Sequence, residues 1–89
     1  MKYDIPEECK FEVALSILIG IIGRAHNEKR EEMLRGHPRQ DKIKRLDASI
    51  EQYTKEQNFL RPNSASAIEH VLNDYGPILK NKLSIADLT

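Results

Sequence analysis

The chain has 89 residues, with 14 basic side chains against 14 acidic ones and a formal net charge of zero. That length suits one domain, residues 1–89, whose core is marginal enough that pairing with a second copy is a common remedy. The charge balance argues against coating nucleic acid or membrane by bulk charge, and one cysteine, Cys9, excludes an intrachain disulfide framework or thiolate zinc cluster.

Helical spacing runs through the whole sequence, and strand signals are nearly absent, with only two Val and two Thr. The first helix is predicted from near Pro6 to Arg35. Asp4 is placed to cap it, and Glu7 and Glu8 lie where the helix dipole favours negative charge. Gly36, followed by Pro38, stops it. Its halves differ sharply. Residues 11–22 read FEVALSILIGII, nine of twelve apolar, whereas residues 24–32 read RAHNEKREE. Gly20 and Gly23 predict a break or bend between them. The apolar run falls short of the ~20 residues a membrane span needs, and acidic residues precede it where a signal peptide carries positive charge. No membrane partner is expected, and the cytoplasm is the expected compartment.

Within the first helix Glu12, Ser16, Gly20, Gly23 and Asn27 fall on one stripe whose middle is small. The remaining arc is wider than one partner helix covers. Those two features predict a homodimer with a self-association surface around Ile17, Gly20, Ile21 and Gly23.

The second helix is predicted over residues 38–60. Ile43, Leu46, Ile50 and Tyr53, extended to Gln57 and Leu60, form a narrow seam. Asp41–Arg45 and Glu51–Lys55 are i,i+4 ion pairs on its solvent faces. In the RPNSAS segment Ser66 and Glu69 make a capping box, with Ser64 as an alternative cap. Ile68, Val71, Leu72 and Tyr75 then give the apolar face of a third helix that ends at Gly76-Pro77. The tail, with Ile78, Leu79, Leu83, Ile85 and Leu88, is too apolar to hang free and is expected to dock as a short helical turn. The whole reads as all-α: a three-helix bundle, or a helical hairpin plus a third helix, with a C-terminal helical turn.

Chemistry-bearing patterns are sparse. His26, His37 and His70 have no i,i+4 partner for a metal, and no P-loop, dinucleotide fingerprint or nucleophile elbow occurs. Glu28 and Glu32 share a helix face, but beside Lys29 and Arg30 a solvated, ion-paired surface is the expected role. No cofactor, metal or catalytic activity is expected. The distribution of charge says more. Residues 24–46 hold eight basic against four acidic side chains, with Arg35, Arg39, Lys42, Lys44 and Arg45 concentrated at a turn and the following helix start. Such a helix start can hold phosphates. No aromatics interleave it, so contact with a nucleic acid would run through phosphates rather than stacked bases. A helix-turn-helix placement of the third helix fits poorly, because residues 62–77 contain no Arg or Lys. The leading expectation is a small, non-catalytic, regulatory interaction module that contacts proteins: a second copy of itself and a further partner the sequence leaves unspecified. The alternative is nucleic-acid binding through residues 35–45.

Overall fold

The computed structural model describes residues 5–88, and every regular element among them is helical. A 3-10 turn, Glu7–Cys9, closes with the Cys9 N–H on the Pro6 carbonyl at 2.9 Å and leads into α1, Lys10–Met33. Asp4, the expected cap, lies outside the described residues. α1 passes unbroken through Gly20 and Gly23. Each glycine costs up to ~1 kcal/mol in a helix interior, and packing on two sides of α1 offsets that cost.

After the turn at residues 34–39, α2 (Gln40–Phe59) runs back antiparallel to α1. The expected i,i+4 pairs form along it, Asp41–Arg45 at 3.9 Å and Glu51–Lys55 at 3.3 Å. A third rod then returns along α1. Glu69 meets Lys10 at its start, Leu79 lies against Gly20 further along, and Ser84 reaches Glu28 near the end. α1 is therefore the central helix of an up-down-up bundle measuring 47 × 25 × 16 Å. The radius of gyration is 14.2 Å, against about 12 Å for a spherical domain of this length. The molecule is a short rod.

The third rod corrects two expectations. Gly76-Pro77 does not end the helix. The path runs through α3 (Ala65–His70), a π-helical turn at Val71–Tyr75, and α4 (Gly76–Lys80). Proline lacks the N–H that would continue the i→i−4 ladder, and its ring crowds the preceding carbonyl. Widening the turn accommodates both: the Gly76 N–H reaches back five residues to the Val71 carbonyl, and Pro77 falls in the first turn of α4. The Ser66–Glu69 capping box does not form either. Ser64 holds the cap position without a side-chain hydrogen bond, and Glu69 binds Lys10 at 2.8 Å. α4 stops where the Lys82 N–H bonds the Leu79 carbonyl and the Leu83 N–H bonds the Ile78 carbonyl, with Lys82 left-handed at φ 53°.

The core takes Ala14, Ile17, Leu18, Ile21 and Ala25 from α1, Leu46 and Tyr53 from α2, and Ile68, Val71, Leu72 and Ile78 from the third rod. The tail docks as expected: Ile85 and Ala86 are fully buried, and a 3-10 turn (Ala86–Leu88) lies against α2.

Candidate functional site

Ala14, Leu18, Ile21 and Ala25 follow one another at steps of four, three and four on the buried face of α1. Continuing that stripe by three and four reaches Glu28 and Glu32. Both carboxylates therefore point where the core would continue, and each gathers the rest of the chain around it.

Glu32 is 1% exposed. Its carboxylate accepts the Arg39 backbone N–H at 3.0 Å and lies 3.4 Å from Lys42 Nζ, 3.5 Å from Arg35 Nη1 and 3.9 Å from Arg39 Nη2. The Arg39 N–H chiefly holds this carboxyl below its ordinary value, with Lys42 and Arg35 adding to the effect and burial opposing it. Of the solvated, ion-paired surface expected here, the ion pairing forms but the solvation does not: Glu32 is an enclosed anion that ties the α1–α2 turn to the start of α2. Four residues earlier, Glu28 accepts from Ser84 Oγ at 2.7 Å and from the backbone N–H groups of Ile85 (2.7 Å) and Ala86 (3.3 Å). Those amides start the last 3-10 turn, where a carboxylate is well placed. Arg24, one turn before Glu28, donates to the Leu83 carbonyl at 2.7 Å and the Ile78 carbonyl at 3.4 Å. Lys29 pairs with Asp47 of α2 at 2.7 Å.

The five cations singled out for anion binding separate accordingly. Arg35, Arg39 and Lys42 converge on Glu32. Arg45 pairs with Asp41, and Lys44 projects from the outer face of α2. The four residues expected at a self-association surface separate too. Ile17 and Ile21 are buried in the chain's own core, and Gly20 lies beneath Leu79, whose Cδ1 is 2.8 Å from where a Cβ would stand. Gly23 alone is exposed, with nothing within 4 Å of its Cβ position.

A second polar group joins α2 to the π turn. The Tyr75 hydroxyl donates to the Glu56 carboxylate at 2.9 Å, and its ring stacks edge-on against Tyr53 (5.2 Å) and His70 (4.8 Å). His70 Nδ1 lies 2.6 Å from Asp74. Burial, followed by the hydrogen bond to Glu56 and then its charge, pushes the Tyr75 hydroxyl pKa well up, so the phenol stays protonated as the donor. Sequence spacing carried no sign of the Tyr75–Glu56 bond, which spans two helices.

Among the described residues, no group of three or more His, Cys, Asp or Glu side chains is arranged to hold a metal ion, and no helix is long and apolar enough to cross a membrane. The large apolar side chains left outside include Leu34 (79% exposed), Phe59 (75%), Met33 and Ile19 (55%). No family model, curated protein or solved structure matches the chain.

Proposed function

We propose that this chain is a non-catalytic helical module that works by protein–protein contact, as a homodimer in the cytoplasm, in a regulatory rather than a chemical role. The observation that carries this reading is the polarity of charge along the rod. Residues 24–46, around the α1–α2 turn, carry eight basic against four acidic side chains, a net of +4. Residues 5–23 and 47–60, which extend toward the opposite end, carry Lys10 and Lys55 against Glu7, Glu8, Glu12, Asp47, Glu51 and Glu56, a net of −4. A neutral rod with opposite ends of opposite sign is complementary to a reversed copy of itself. The carboxylates that a hydrolytic site would need free, Glu28 and Glu32, are occupied in holding the fold. The lone half-buried thiol of Cys9 accords with a reducing compartment.

Sedimentation equilibrium at micromolar concentration tests the reading. It predicts twice the chain mass at low salt and a shift toward the monomer at about 1 M salt, where screening acts within ~3 Å. A well-folded strict monomer at low salt contradicts it. Retardation of generic duplex DNA at low salt, abolished by charge reversal at Arg39 and Lys42, would instead favour the nucleic-acid alternative.

A further inference from the structure

The outward face of α1 holds Glu12, Ser16, Ile19, Gly23, His26 and Arg30, at steps of four, three, four, three and four, and all six are exposed. This sequence of side chains is self-complementary when reversed. Glu12 and Arg30 lie nine residues either side of Ile21, Ser16 and His26 lie five either side, and Ile19 and Gly23 lie two either side. We infer that this face is an isologous dimer contact, in which α1 of one chain crosses α1 of a second copy antiparallel about a two-fold axis at Ile21. The inference rests on the homodimer reading above and assigns it a surface.

Three features support that occupant over another. The charges match at the ends: Glu12 of each copy meets Arg30 of the other, twice over by symmetry. Among the described residues neither side chain has an ionic partner in its own chain. The shapes match at the centre. Ile19 is 55% exposed, and the backbone at Gly23 is open, with nothing within 4 Å of its Cβ position. Reversal sets each Ile19 against the partner's bare Gly23, and half-buried Leu15 and Ile22 flank the contact. The local pairing also has the same sense as the polarity of the whole rod, since both bring the acidic end of one copy to the basic end of the other. The face spans about 27 Å of helix. A contact one helix wide lies at the small end of specific interfaces, and its end contacts are ionic, so the dimer is salt-sensitive.

Two exposed substitutions test the pairing. Glu12→Arg places arginines at both ends of the face, and Arg30→Glu places glutamates at both ends. Each variant, checked for native helicity by circular dichroism, is expected to dimerise about tenfold more weakly than the wild type at low salt. An equimolar mixture of the two restores both ion pairs and is expected to form a heterodimer of at least wild-type affinity by sedimentation velocity. If the wild type dimerises and the single variants do so equally well, this face is not the contact and the homodimer reading stands. If the wild type stays monomeric across the concentration range, both fall together.

Discussion

The two halves of α1 reach the same end by opposite chemistry. Its first half is covered because it is apolar: Ala14, Leu18 and Ile21 are fully buried between α2 and the third rod. Its second half is polar in sequence, yet its buried stripe continues through Ala25 to Glu28, which binds backbone amides of the distant tail, and Glu32, which binds an amide and cations of the adjoining turn and the start of α2. The apolar half gains from burial without fixed donor–acceptor partners. The polar half fixes register, because a carboxylate meets particular N–H groups at about 3 Å or is left unsatisfied. One helix thus supplies both burial and register: its first half holds the three rods together, and its second half determines where the turn and the tail sit.

Substitutions can break that contrast in order of expected effect. Leu18→Ala removes the centre of the apolar half and should cost about 2–5 kcal/mol by denaturant unfolding, which a core this small hardly survives. Glu32→Gln should destabilise less at neutral pH and should also change the response to acid. Because the folded chain holds the Glu32 carboxyl below its ordinary 4.5, the unfolded chain binds more protons as pH falls through that value, and the stability Glu32 contributes above it is lost below it. The melting temperature of Glu32→Gln should therefore fall less steeply on acidification than that of the wild type; parallel curves would deny Glu32 its role. The smallest effect sharpens the contrast within the apolar half. Gly23→Ala adds a methyl group in open space and should raise monomer stability by up to ~1 kcal/mol. Gly20→Ala should gain less, because Leu79 must move from 2.8 Å.

The helices themselves were largely legible in the sequence. Spacing located α1 and α2 to within a few residues, the seam of Leu46 and Tyr53 packs as read, and the apolar tail docks. Local rules failed where tertiary contacts outweighed them. Gly76-Pro77 reads as a stop, but Ile78 is buried beside α1, and a π turn re-routes the backbone so that the helix can reach it. The capping box fails because α3 already begins at Ala65, which puts Ser66 inside the helix, and Glu69 turns instead to Lys10, 59 residues away. The roles of Glu28 and Glu32 were hidden by treating polarity as exposure. The signal was nonetheless present: both lie on the stripe that begins at Ala14 and Leu18, and a carboxylate on a core stripe must find donors. The basic block at residues 35–45 is plain in the sequence, but spacing could not show that three of its cations converge on a glutamate of the same chain.

Amide hydrogen exchange tests most directly the claim that two carboxylates of α1 hold the turn and the tail. The Arg39, Ile85 and Ala86 N–H groups donate to side chains rather than to a helical ladder. The prediction is that all three exchange far more slowly than the exposed Gly36 amide in the same turn, and that Glu32→Gln speeds Arg39 while Glu28→Gln speeds Ile85 and Ala86. Exchange of all three at the rate of Gly36 in the folded wild-type protein would contradict the account.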